Sequence, residues 1–380
     1  MKRLALTALL TALLAAACGG EKHADSQRIK VGFFGALTGQ QATFALSGRN
    51  GALMAIEEIN GAGGVLGQPV SLIAEDDRGE ASEAASAVSK LITRDHVVAL
   101  IGENASSRSL AAAPIAQSYG VPMISPSSTN VEVTKKGDYI FRVCYIDAYQ
   151  GKVLAAFARR NLKARTAAIL TDSRSDYSVG LADAFRAAFT AAGGRIVADA
   201  RYSEGDGDFS AQLTAIRPLS PDVLFLPGYY TDAGLIARQA RGLGLKATLL
   251  GADGWDSPKL VEIGGEAMEG AYLSNHYSVD DPAPSVRRFV DAYKKKYGAE
   301  PDSIAATSYD AMRLLADAIA RAGSTEGRRV RDALASTKDF PGVTGKITMD
   351  ADRNPIKPAV VLKVEGGRFR FADSVGPGGS

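Results

Sequence analysis

Short apolar runs alternate with amphipathic runs of helix length along most of the chain, in two successive series. The first opens with Ile29 to Ala36, followed by a stretch that puts Ala52, Leu53, Ile56 and Ile59 on one helical face. It continues through Val70 to Ala74, a helix through Leu91, Val97 to Ile101, a helix from about Ser107, and Pro122 to Ser125. The second begins near Ala148, with Val153, Leu154, Phe157 and Ala158 on a helix, then a strand over Thr166 to Leu170. Leu181, Phe185 and Phe189 mark the next helix, followed by strand Asp222 to Leu226, a helix through Leu243 and strand Thr248 to Gly251. Strands that alternate with helices of this length predict parallel sheets with right-handed crossovers. At 380 residues the chain is too long for one compact core, so the two series predict an α/β protein of two doubly wound lobes.

The remainder is helix-rich over Pro284 to Tyr297, Ile304 to Ala322 and Val330 to Ser336, with strands near Lys346 to Met349, Ala359 to Val364 and Phe369 to Phe371. These are too few for a third domain. The expected organisation is therefore a first lobe of residues 29–146 and 277–356, a second of 147–276 and 357–373, a hinge of three segments, and a Gly/Pro-rich tail over 374–380.

Ahead of the first lobe, Met1-Lys2-Arg3 precede an uncharged run from Leu4 to Ala17 that is shorter than the about 20 residues of a permanent span. Residues 1–17 read as a secretory signal. Cys18, directly after three alanines and behind Leu13-Leu14, resembles the lipidation site of bacterial lipoproteins, which implies a diacylated Cys18 and a polar tether over 18–28. Both charges of the formal +2 sit in that leader, so the remaining chain is neutral. Such a balance argues against nucleic acid as a partner, because phosphate binding leaves a basic footprint. Three scattered histidines and two distant cysteines offer little for a metal centre.

Local motifs exclude more than they support. The run Gly61 to Gly67 closes a helix ahead of a strand, whereas a dinucleotide loop opens a helix after one, so it reads as a helix-terminating turn. Neither a phosphate-binding Gly-x-x-x-x-Gly-Lys-Ser/Thr nor a Gly-x-Ser-x-Gly hydrolase elbow occurs. His96 and His276 read as surface residues without partners, and Cys144 as a buried inert thiol. What remains is the set of loops at strand carboxyl ends, where open parallel sheets bind ligands. Asn104-Ala105-Ser106-Ser107 opens a helix and suits a carboxylate, although one serine could equally be a simple cap. Ser125 to Asn130, Pro227 to Tyr230 and Gly251 to Trp255 end three further strands, and Asp253 is placed to pair with an ammonium or to serve as a turn residue.

Taken together, these loops resemble the periplasmic binding proteins of branched-chain amino acid ABC transporters. The matching residues include Val31-Gly32 with Gly39, Ile59-Asn60 with Gly63-Gly64, Gly102 with Ser106-Ser107, Ile124-Ser125-Pro126 with Thr129, Gln150-Gly151, Asp172 with Tyr177, Asp208-Phe209-Ser210, Gly228-Tyr229 and Arg238-Gln239-Ala240. The resemblance spans about Ile29 to Phe371 and implies two lobes that close on a small amino acid, without catalysis or cofactor. It implies that Ser106, Ser127 and Thr129 bind the ligand carboxylate and that Asp253 takes the ammonium. Tyr229, Tyr177, Asp147 and Phe44 would line the cleft. Asp253 stands where the family has Glu, and Phe44 where it has Tyr. Ser107, Arg108 and Trp255 lie beside these positions, and a solvated Arg108 is the expectation, although a second ligand acid group at Arg108 stays open. Implied partners are an inner-membrane ABC permease and a bacterial membrane reached through lipid alone, with the receptor a periplasmic or surface monomer. An aromatic acid, amide or urea as ligand, or a sensor role, is the alternative.

Overall fold

The computed structural model describes residues 28–376. The signal, the Cys18 lipidation site and nearly all of the tether therefore lie outside the described residues. Chain order in the first lobe is β1 (Ile29–Gly35), α1 (Ala42–Gly61), β2 (Val70–Asp76), α2 (Ala81–Thr93), β3 (Ala99–Ile101), α3 (Ser106–Tyr119), β4 (Met123–Ser125) and β5 (Ile140–Arg142). The strands form one parallel sheet in the order β2-β1-β3-β4-β5. Strand order reverses between β1 and β3, so the loops that leave these strands diverge and open a crevice at the carboxyl edge.

The second lobe repeats that plan. Its elements are α4 (Asp147–Arg160), β6 (Thr166–Asp172), α5 (Asp176–Ala191), β7 (Arg195–Tyr202), α6 (Ser210–Ile216), β8 (Val223–Phe225), α7 (Tyr230–Gly242), β9 (Thr248–Gly251), α8 (Pro258–Gly264) and β10 (Tyr272–Asn275). The parallel order is β7-β6-β8-β9-β10, with a second reversal between β6 and β8. The chain then supplies α9 (Pro284–Tyr297), α10 (Ser303–Ala322), α11 (Gly327–Ala335) and a small hairpin of β11 (Phe340–Gly342) and β12 (Gly345–Ile347). Apolar residues of these helices, among them Phe289, Met312, Leu315 and Leu334, share a core with β1 and α1. Finally β13 (Ala359–Glu365) and β14 (Arg368–Val375) add antiparallel to β10, making a seven-stranded sheet. The chain thus passes between the two sheets three times, over residues 143–146, 276–283 and 348–358.

Several elements depart from the sequence expectation. The strands β5, β7, β10 and β11 have no counterpart in it. β5 is three residues long, and β7 lies at the sheet edge, where its half-exposed residues blur the apolar run that marks a central strand. The terminal strand reaches Val375, pairing Ser374 with Val360, so the first two residues assigned to the tail belong to the sheet, and residues 377–380 are not described. The Gly61–Gly67 run does end α1: the Gly64 N–H donates to the Ile59 carbonyl at 2.9 Å, and Gly63 and Gly64 have φ of 99° and 79°, a conformation that favours glycine. Glycine also sets the distance between α1 and α10. A Cβ on Gly51 would run into the Ala305 carbonyl, and one on Gly48 would stand 2.8 Å from Ser308 Oγ.

Candidate ligand-binding site

The carboxyl edges of the two sheets face each other and enclose a small cavity. The first lobe contributes Phe44 from α1, Asn104 after β3, Ser127 after β4 and Ile304 from the first turn of α10. The second contributes Tyr177 from α5, Tyr229 after β8, and Asp253 and Gly254 after β9. Every side chain in this set is nearly inaccessible to solvent. Tyr177 and Tyr229 stack at a centroid distance of 5.2 Å, and Phe44 meets Tyr229 edge-on at 6.1 Å, giving the cavity an aromatic wall.

Its two ends differ in charge. At one end Asp253 Oδ1 accepts the Tyr177 hydroxyl at 2.8 Å, Oδ2 lies 3.2 Å from His276 Nε2, and the Gly254 N–H donates to the Tyr177 oxygen at 3.1 Å. Burial pushes the Tyr177 phenol well above its ordinary value, with the charge of Asp253 adding to it, so it stays a donor. At the other end α3 begins without a side-chain cap, so its first N–H groups are left for another acceptor. Ser127 Oγ donates to the Asn104 carbonyl at 3.0 Å, and Ser106 Oγ accepts the Asn130 N–H at 3.1 Å, which keeps the Ser106 hydroxyl proton available. Among the described residues, Asn104 Nδ2 and Thr129 Oγ1 are buried without a hydrogen-bond partner. One side thus presents a carboxylate, and among the lining side chains of the first lobe Asn104 keeps an uncommitted donor.

Asp147 starts α4 and donates its N–H to the Thr129 carbonyl at 2.9 Å. Its carboxyl has no partner of normal hydrogen-bond length among the described residues, and burial, aided by the charge of Asp253, raises its pKa to about 8. The unfolded chain releases that proton near the ordinary 3.8, so between these values the native state holds a proton the unfolded state has lost. Stability is therefore lost as pH rises from about 4 to 8. Asp147→Asn is expected to melt above the wild type by a margin that widens from pH 5 to pH 8 in ligand-free thermal melts. A margin independent of pH would contradict this assignment.

Of the residues singled out from the sequence, Phe44, Ser127, Tyr177, Tyr229 and Asp253 meet around the cavity, while Ser106, Thr129 and Asp147 lie buried behind it or beside it. Three others serve differently. Arg108 is buried rather than solvated: it pairs with Glu103 at 3.0 Å and donates to Gln41 Oε1 at 2.8 Å and to the Gly79 carbonyl at 3.2 Å. Ser107 Oγ accepts the Asp176 N–H across the cleft at 2.9 Å, and with Arg108 it borders an adjoining polar cavity of about 350 Å³. Trp255 belongs to the core of the second lobe, its Nε1–H donating to the Leu226 carbonyl at 3.2 Å. His276, expected at the surface, is buried in contact with Asp253. Its position just after β10, at a strand carboxyl end, is the signal that would have flagged it. Asn104 was legible only as part of its loop, and Ile304 reads as an ordinary core residue of α10. Cys144 is buried, and burial pushes its thiol up to about 12.

The lobes also grip each other outside the cavity. Gln41 Nε2 donates to Glu204 Oε1 at 2.6 Å, the Tyr230 hydroxyl to the Gln40 carbonyl at 2.8 Å, and Asn130 Nδ2 to the Asp176 carbonyl at 2.8 Å. Two sheets of like topology, closed by such contacts on a pocket made at both reversal points, define a two-lobed solute receptor. The family model described as periplasmic binding protein matches residues 28–368. The chain belongs to that family. It is 34% identical to the Leu/Ile/Val-binding protein BraC3 of Rhizobium johnstonii, covering 90% of this chain and 92% of that one. It is 32% identical to the leucine-, isoleucine-, valine-, threonine- and alanine-binding protein of Pseudomonas aeruginosa, over 85% and 86% of the two chains. Among solved structures, the leucine-binding protein LivK of Thermotoga maritima superposes with a TM-score of 0.89 at 41% identity, over 92% of this chain and 99% of that one. LivJ of Streptococcus pneumoniae in complex with isoleucine gives 0.87 at 36%, over 92% and 99%. The family is extracytoplasmic, and no helix among the described residues is long and apolar enough to cross a membrane.

Proposed function

We propose that this receptor captures a small aliphatic amino acid and delivers it to an ABC permease. The observation that carries the reading is the polarity of the cavity: a buried Asp253 carboxylate from one lobe, the uncommitted Asn104 donor from the other, and an apolar and aromatic wall. An α-amino acid has the matching sequence of ammonium, side chain and carboxylate. Asp253 then takes the ammonium, while the α3 N-terminus with Ser106, Ser127 and Thr129 takes the carboxylate. Phe44, Tyr229 and Ile304 pack on the side chain. Ligands of the relatives named above support the choice, since their names include leucine, isoleucine and valine. The paired contacts exist together only when the lobes are closed, which is what gives the ligand leverage over closure. No step of bond chemistry is needed. The leader and Cys18 add a proposal of lipid anchoring outside the cytoplasm, and the receptor is read as a monomer.

The test is isothermal calorimetry of the purified receptor against leucine, isoleucine, valine, threonine, 3,4-dihydroxybenzoate and urea. The three branched-chain amino acids are expected to bind most tightly, with the last two silent. Tighter binding of the aromatic acid than of any amino acid would overturn the reading.

A further inference from the structure

The strongest feature that the proposed contacts leave unused is His276, which follows β10 on the second passage between the sheets. We infer that His276 is a positioning residue: it fixes the plane of the Asp253 carboxylate for the ligand's ammonium and so enforces selection of amino acids over their des-amino counterparts. This rests on Asp253 as the ammonium partner.

An aspartate rotates about two bonds, and its charge is directional only when both oxygens are held. Here each oxygen has its own neighbour, Tyr177 on Oδ1 at 2.8 Å and His276 Nε2 on Oδ2 at 3.2 Å. The imidazole is itself fixed. Its ring lies 4.1 Å from that of Tyr145, and its backbone N–H donates to Asn275 Oδ1 at 2.8 Å. Asn275 Nδ2 in turn donates to Asp256 Oδ2 at 2.9 Å, which also accepts the Ser303 N–H at 2.6 Å at the start of α10, beside Ile304. The support for Asp253 is therefore tied to the opposite wall of the cavity.

The protonation state follows from the surroundings. Nδ1 is buried without a partner among the described residues. A bare lone pair there costs less than an orphaned N–H, so the ring is neutral with its proton on Nε2, facing the carboxylate. Burial also lowers the His276 pKa, against the pull of Asp253. A neutral donor orients the carboxylate without cancelling its charge, whereas a lysine at this position would replace the ligand's ammonium as its partner.

Calorimetry with leucine and with 4-methylpentanoate, its des-amino counterpart, tests the inference. His276→Leu is expected to weaken leucine binding by about tenfold or more and to leave 4-methylpentanoate affinity within about twofold. His276→Gln, which keeps a donor, should restore most of the leucine affinity, and in an Asp253→Asn background His276→Leu should cost little further. Nitrogen NMR of the ligand-free wild type should show a neutral ring protonated at Nε2. Equal losses for both ligands in both variants would make His276 merely structural, and unchanged leucine affinity in His276→Leu or an imidazolium at pH 7 would overturn the inference. A wild type that fails to prefer leucine over 4-methylpentanoate would instead overturn the assignment of Asp253, and this inference with it.

Discussion

Asp253→Ala is expected to abolish amino acid binding, with a loss of roughly a thousandfold, while both lobes stay folded. Removing one member of a desolvated ion pair costs about 2–5 kcal/mol, much of it from leaving the other charge unpaired, and here that other charge is the ligand's ammonium. The same change withdraws the acceptor of the Tyr177 hydroxyl and of His276 Nε2, which costs about 1–3 kcal/mol for each unsatisfied buried donor. It also removes a negative charge close to the buried Asp147, which works in the opposite direction. The two effects on stability oppose each other, so the fold should lose less than the roughly 2–6 kcal/mol that the two donors alone would cost. Calorimetry measures the affinity and a urea melt the stability. Wild-type affinity for every amino acid bound would remove Asp253 from the site.

The second large effect concerns a residue that touches no ligand. Gly51→Val is expected to destabilise the first lobe by about 3 kcal/mol, which for a lobe of this size lowers the melting temperature by about 6–12 °C. The added side chain meets the Ala305 backbone, so α1 and α10 must separate. α10 carries Ile304 into the cavity and offers the Ser303 N–H to Asp256, so leucine affinity should fall with stability. Gly242, at the end of α7 with open space around its Cβ position, is the control: Gly242→Ala should change stability by less than about 0.5 kcal/mol. A Gly51→Val melt that matches the control would show that the helices do not need this approach.

The architecture was legible because strand-helix alternation is a local signal that repeats. The span Pro284–Tyr297 matches its helix at both ends, since proline marks the start and Gly298, with φ of 72°, marks the stop. The edge strand β7 was not legible, because half of its pattern faces solvent. The candidate loops were legible from their place after strands, but the partners within them were not. His276 and Asp253 are 23 positions apart, and Arg108 and Gln41 are 67 apart, so nothing in the neighbouring sequence advertises either contact. Arg108 illustrates the difficulty: charge alone favours solvent, and only the fold brings Glu103, Gly79 and Gln41 around it.

The three passages between the sheets bear on the order in which the protein can be made. α1 needs α10 to cover its inner face, and the seven-stranded sheet receives β13 and β14 from the last described residues. Neither lobe is contiguous in sequence, so during synthesis both stay incomplete until the chain is almost finished. An emerging chain of this kind exposes apolar helix faces and an unpaired β10 edge rather than a finished lobe. In a family that works outside the cytoplasm, that delay has a use: closure into a compact body waits for a segment made late.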